Sequence, residues 1–183
     1  MLSRSNLYNS DKRNGFKSGK YTPKKKSGLN GKKTGNKNKF YKSTAWKYFS
    51  RYILISSTID VTGTTTQCCT CGKWMAVNSR QAQAGHYVKV NDANSTNYST
   101  AFVEANVNPQ CEACNRHRGG VMDEMASYIE AKHGEGTVKR LMELKKLPLK
   151  LDDAFLSEIA DTYRKKFYEV LEQKGIENPW KKK

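Results

Sequence analysis

The sequence predicts an α+β fold: a small domain stapled by a four-cysteine zinc site, braced by flanking helices and preceded by a disordered basic arm. Three observations carry this reading. Two CxxC pairs, Cys68/Cys71 and Cys111/Cys114, enclose two candidate short strands and a polar loop. Apolar residues recur at helical spacing before the first pair and after the second. The charge is uneven: residues 1–52 hold 15 Lys/Arg against one acid, Asp11, whereas residues 53–183 hold 18 against 16.

Two residues between cysteines let one tight turn aim both thiolates at a single ion, and two such knuckles complete a tetrahedral zinc shell. With Cys68, Cys71, Cys111 and Cys114 all engaged, no position stays open to water, so this zinc is structural and any catalysis needs another group or a second metal. Two disulfides are the rival reading. The odd total of five cysteines and a lysine-rich N-terminus without an apolar signal core argue against it. Cys69, inside the first knuckle, reads as a spare thiol. No apolar run approaches the roughly 20 residues needed to span a bilayer, which points to a soluble, cytoplasmic protein with no membrane partner.

Residues 1–42 read as the disordered arm, 43–175 as the folded domain and 176–183 as a basic tail. The arm has too few apolar residues to offset chain entropy. Its lysines, Lys24, Lys25, Lys26, Lys32 and Lys33 among them, suit a polyanion, because each neutralised phosphate releases counterions. Tyr8, Phe16, Tyr21, Phe40 and Tyr41 interrupt the lysines and are suited to stacking on unpaired bases. A solubilising tail is the bland alternative. A membrane surface would also attract the arm, but no amphipathic basic helix or lipidation signal supports that.

Within the domain, Ser43 or Thr44 can cap a helix whose Trp46, Phe49, Tyr52 and Ile53 form an apolar stripe. Residues 56–66 read as a loop or short strand entering the first knuckle. Lys73–Val77 and Gln83–Val88 read as two strands of a hairpin turning at Asn78, Ser79 and Arg80, with His86 near the end of the second. Residues 89–100 read as an exposed polar loop and Thr100–Glu104 as a short strand or extended segment. Three helices follow. Their stripes are Met122, Met125, Ala126, Ile129; then Val138, Leu141, Met142, Leu144; then Phe155, Ile159, Tyr163, Phe167, Leu171, the last capped by Asp152 or Asp153 and ended by Gly175. About 130 residues make a marginal core, to which a structural zinc adds about 10 kcal/mol or more.

The order of motifs carries more than the elements do. A histidine ending a strand, the turn Asn106 to Cys111, and a CxxC followed directly by Asn115 resemble the HNH nucleases, the ββα-metal or His-Me finger superfamily. The set Cys68 to Gly72 (CxxCG), Ala84 to Tyr87 (AGHY), Gln110 to Asn115 (QCxxCN), His117 and Gly119 is similar to the phage NinG family, over residues 43 to about 173.

This resemblance implies an HNH-like ββα-metal core and a metal-dependent endonuclease acting on branched recombination intermediates such as D-loops or Holliday junctions, in the cytoplasm of a bacterial host. It implies that His86 is the general base, as an imidazole with a pKa of about 6.5 can be near neutral pH. Asn115 takes the place of the ligand for a catalytic Mg2+ or Mn2+, and Asn106 that of the asparagine orienting the loop or the histidine. Many HNH enzymes carry an aspartate ligand where this chain has Gly85, so the second ligand falls to His117, Asp123 or Glu124, with His117 favoured by the family pattern. Arg116 and Arg118 flank it as phosphate contacts. His133, ahead of Gly134, reads as a helix C-terminal residue. Branched or partly single-stranded DNA is the expected partner, with a homodimer and phage recombination proteins also compatible. The alternative is a non-catalytic zinc module that binds such DNA and recruits recombination proteins.

Overall fold

Two long helices clasp the chain from either end, and a computed structural model describes residues 40–60, 62–92, 95–96, 98–149 and 151–181. Helix α1 (Thr44–Ser56) starts where the Ser43 hydroxyl accepts the Trp46 amide at 3.1 Å, satisfying one of the free N–H groups of the first turn. The sequence then continues to α4 (Asp153–Lys174), capped in the same way by Asp152 accepting from Phe155 at 2.9 Å and ended by Gly175 at φ 63°. The two helices bury their stripes against each other: Phe49 meets the Tyr163 ring edge-on at 4.6 Å and the Phe102 ring at 5.4 Å.

Between these helices, among the described residues, lie three two-stranded sheets. Strand β1 (Thr65–Gln67) pairs antiparallel with β2 (Trp74–Ala76), and the first knuckle is the turn joining them. Strand β3 (Ala82–His86) pairs with β6 (Val107–Cys111) in a register that sets Ala82 opposite Cys111 and His86 opposite Val107. The short strands β4 (Asn91–Asp92) and β5 (Ser95–Thr96) pair in the connecting segment, which a 3-10 turn over Glu104–Asn106 closes. Helices α2 (Met122–His133) and α3 (Thr137–Lys145) lay Met125, Ile129, Leu141 and Leu144 over Val88 and Val103.

Three local expectations are corrected. The strands near 73–77 and 83–88 do not pair with each other. The knuckle folds β2 back on β1 through the Cys68 amide to Lys73 carbonyl bond at 2.9 Å, and β3 is left to a strand that arrives much later in the chain. Thr100–Glu104 is no strand, because Ala101 and Val103 donate to Tyr98 and Thr100 in successive tight turns. The basic arm does not reach residue 42: Phe40 is 3% exposed and packs on Trp46, Tyr98 and Phe102. The lysines Lys24, Lys25, Lys26, Lys32 and Lys33 and the aromatics Tyr8, Phe16 and Tyr21 lie outside the described residues.

Glu104 fixes this central segment to both helices. Its carboxylate accepts from Tyr52 at 3.2 Å, Tyr163 at 3.1 Å and Lys166 at 2.7 Å, an arrangement that spends both oxygens on three donors in a half-buried site. Among the described residues, no helix is long and apolar enough to cross a membrane. Because Phe49 is fully buried where α1, α4 and the central segment meet, Phe49→Ala is expected to lower stability by about 3–5 kcal/mol, measured by denaturant unfolding.

Candidate metal centre and active-site cleft

The thiol sulfurs of Cys68, Cys71, Cys111 and Cys114 lie within 4.8 Å of one another, and those of Cys71 and Cys111 are 3.8 Å apart. An ion bonded to four tetrahedral sulfurs at about 2.3 Å spaces them about 3.8 Å apart, so the cluster fits a metal ion such as zinc. Local backbone chemistry builds it. Gly72, at φ 69°, turns the first knuckle so that its amide reaches the Cys68 carbonyl at 2.9 Å, and the Cys114 amide points at the Cys111 sulfur at 3.4 Å. The Cys69 amide donates to Pro109 at 2.8 Å, which binds the first knuckle to β6.

Crowding gives the thiols unequal acidity. Burial works against the Cys68 thiolate, yet donors from Thr70 and nearby amides bring it down to about 6. Cys71 keeps a favourable Lys73 amide but is pushed up to about 12 by burial and the neighbouring thiols. Four thiolates so close together need a cation to coexist, and its binding releases protons. Cys69 stands apart: burial pushes it up to about 12, the behaviour of an inert thiol.

At the far end of the β3/β6 strand pair, four residue steps or about 13 Å from Cys111, His86 is 8% exposed. Its ring stacks on Trp46, centroids 4.9 Å apart and 18° from parallel, and its Nε2 lies 3.0 Å from the Ala101 carbonyl. A carbonyl can only accept, so Nε2 carries the proton and Nδ1 keeps the lone pair. Burial lowers the imidazole pKa to about 4, against a smaller upward pull from the Ala101 carbonyl. The unfolded chain protonates this ring near pH 6.5. The stability contributed by the neutral buried ring is therefore complete above about pH 6.5 and is lost as pH falls toward 4.

Asn115 comes to the same place by a different route. The second knuckle starts a helical turn over Ala113–His117 with i to i+5 spacing, and this sets Asn115 across β3, its Nδ2 donating to Gln83 at 2.7 Å. A cleft of about 190 Å³ is lined by His86, Asn115, Lys89, Tyr41, Ala84 and Gly120. The imidazole and the carboxamide singled out from the sequence thus share one surface, and among the described residues no acidic one lines it. His117 and Arg118 are exposed, and neither His117, Asp123 nor Glu124 lines the cleft. Arg118 instead reaches toward the Cys114 sulfur, at 3.8 Å. His133 is half-buried at the C-terminal turn of α2, as its place before Gly134 suggested.

Asn106 is fully buried and spends its amide on the backbone: Oδ1 accepts from Val88 at 2.7 Å, and Nδ2 donates to Val88 at 3.1 Å and Thr100 at 2.9 Å. It ties the segment after His86 to the turn before β6 and does not enter the cleft, so its place is that of a positioning residue.

Gly85 has a steric cause in its cross-strand neighbour. Gln110, diagonal to it on β6, donates from Nε2 to the Gly120 carbonyl at 2.6 Å and drives its Oε1 into the volume a Cβ at 85 would occupy, with Gln110 Cδ at 2.9 Å and Asn115 Oδ1 at 3.2 Å from that point. Gln110 Oε1 and Asn108 Oδ1 are buried without a hydrogen-bond partner. Sequence reasoning assigned no role to Gln110, Gln83, Lys89 or Arg80. Gln110 stood inside a motif but carries no charge, and Trp46 was legible only as a core position.

A family model described as bacteriophage lambda NinG protein matches residues 5–173, through the basic arm as well as the folded domain, further toward the N-terminus than the motifs alone indicated. No curated protein and no solved structure matches the chain.

Two outcomes test this site. Purified protein is expected to hold about one tightly bound metal ion such as zinc, by elemental analysis, and Cys111→Ser to lose both metal and cooperative unfolding. Gly85→Ala is expected to cost about 1–3 kcal/mol in thermal unfolding, since Gln110 cannot withdraw without releasing Gly120. The ordered motifs, the clustered thiols and a match over nearly the whole length agree: the chain belongs to the bacteriophage lambda NinG protein family.

Proposed function

We propose that this protein is a metal-dependent DNA endonuclease of the HNH, ββα-metal type, acting on branched recombination intermediates. The observation that supports it most is the meeting of His86 and Asn115 in one cleft, beside the exposed Lys89. In this reading the four-cysteine ion is zinc and structural. It holds the β3/β6 strand pair and the helical turn together so that imidazole and carboxamide face one phosphodiester.

Each residue has a defined task. His86, held by Ala101 and Trp46 with Nδ1 unprotonated, takes a proton from the attacking water. Its low basicity keeps it ready at neutral pH and below. Asn115, steadied by Gln83, offers Oδ1 to a hard divalent cation, Mg2+ or Mn2+. When bound, such a cation stabilises charge on the scissile phosphate and the leaving oxygen. Asn115 brings a neutral amide oxygen to the cleft, and the phosphates of DNA would complete the charge balance of a bound cation. Lys89 contacts those phosphates, and the lysine-rich arm adds affinity without sequence preference.

Among the described residues no acid lines the cleft, which favours a second reading, a non-catalytic zinc module that binds branched or single-stranded DNA. Cleavage decides between them. Wild-type protein with a branched DNA and Mg2+ or Mn2+ is expected to cut, and His86→Ala and Asn115→Ala to lose at least about 100-fold in rate while still binding. Binding by wild-type protein without cleavage in either metal supports the module. By NMR, the His86 ring is expected to remain neutral at about pH 5, where an unperturbed imidazole is protonated.

A further inference from the structure

A groove of about 720 Å³ opens beside the His86 cleft and shares Tyr41 and Ala84 with it. Its two kinds of lining are segregated. Next to the cleft stand aromatic rings. Trp46 is fixed by its stack on His86, and Tyr41 is set edge-on to Trp46 at 5.4 Å, 87° from parallel. Tyr41 is 46% exposed although its neighbour Phe40 is buried, so the core holds a ring rigidly at the surface. Elsewhere the groove is lined by Arg80 and Arg116, which both reach one oxygen of Glu112, at 3.6 and 3.3 Å. One carboxylate thus pins two guanidiniums, and their side chains remain 84% and 59% exposed. The pair keeps a net positive charge and most of its donors toward solvent.

Flat rings at one place and pinned guanidiniums at another, with Leu54 and Ala82 giving apolar lining between polar groups, complement a chain that carries flat bases on an anionic backbone. A duplex cannot use the rings, because the faces of its bases are stacked on one another. An unpaired base has a free face, and stacking on an aromatic side chain is tolerant of base identity. The volume lies within the range of about 300–1,000 Å³ common for bound small molecules, enough for nucleotide-sized occupants.

We propose that this groove is a single-strand subsite. It takes unpaired DNA nucleotides flanking the phosphodiester presented to His86, with a base on Tyr41 and phosphates on the Arg80/Arg116 pair. The adjacency to the reacting bond rests on the nuclease reading; the binding itself does not. Branched substrates are then selected where strands separate, because only there does a base with a free face lie next to a scissile bond.

The test uses the full chain with its four-cysteine metal and no added Mg2+ or Mn2+, so that binding is read alone. Fluorescence anisotropy compares a labelled oligo-dT of about 12 nucleotides with a blunt-ended duplex of similar length. Tyr41→Ala is expected to weaken oligo-dT binding by about 5- to 100-fold and to leave the duplex within about two-fold. Tyr41→Phe, which keeps the ring, is expected to bind as wild type. Arg80→Gln is expected to flatten the salt dependence on oligo-dT by about 0.7 log units. In a Trp74→Phe/Trp180→Phe background, emission from Trp46 is expected to change on adding oligo-dT and to stay constant with the duplex. Equal losses on both DNAs, no loss in Tyr41→Ala, a loss in Tyr41→Phe as large as in Tyr41→Ala, or a silent Trp46 overturns the subsite. Selective single-strand binding in a protein that cuts no branched DNA with any divalent cation sinks the nuclease reading and leaves the subsite standing.

Discussion

The convergence of four thiols at one end of the paired strands β3 and β6 is the constraint from which the other placements follow. Cys68 and Cys71 come from the β1/β2 turn, Cys111 ends β6, and Cys114 lies in the helical turn. Bringing them within ion-sharing distance decides which strands can pair and where the helical turn begins. Asn115 directly follows one of the clustered cysteines, so its position is set by one covalent step. His86 lies at the other end of the same strand pair, and a two-stranded ladder carries the geometry from one end to the other. A domain with this modest core gains more from such a staple than a larger one would.

The rest of the structure guards that strand pair. Helix α1 supplies the stacking partner of His86 and closes with α4 over the central aromatics. Glu104 and Asn106 sit on one 3-10 turn and face different tasks: the carboxylate joins the two long helices, while the amide fastens the strand that follows His86. The imidazole is thereby held from three sides: its ring face, its Nε2 and its trailing backbone. Burial on this scale explains why it is a weaker base than an exposed histidine.

Much of this was legible in the sequence where the signal is local. The CxxC spacing picked out the four thiols that cluster, Ser43 and Asp152 capped the helices expected of them, and four-residue steps located Ile159, Tyr163, Phe167 and Leu171. What stayed hidden depends on partners distant in the chain. Strand propensity identifies β2 and β3 as extended but does not say that each turns away from the other to pair elsewhere. Phe40 and Tyr41 read as arm residues because lysines surround them, and only tertiary packing separates a buried ring from an exposed one beside it. Gln110 is invisible to any search for charge or periodicity, since its importance is a matter of shape.

That shape ties two positions into a single steric unit. The side chain absent at 85 is supplied from 110, an amide reaching diagonally across the ladder into its neighbour's vacant volume. Neither position can be altered freely without the other. An aspartate brought to 85 demands that the glutamine shrink, and the Gly120 carbonyl then needs a new donor. Grafting an acidic ligand onto this scaffold is consequently at least a two-residue exchange, and any route between an acid-bearing and an amide-bearing site passes through a pocket that is either overfilled or hollow.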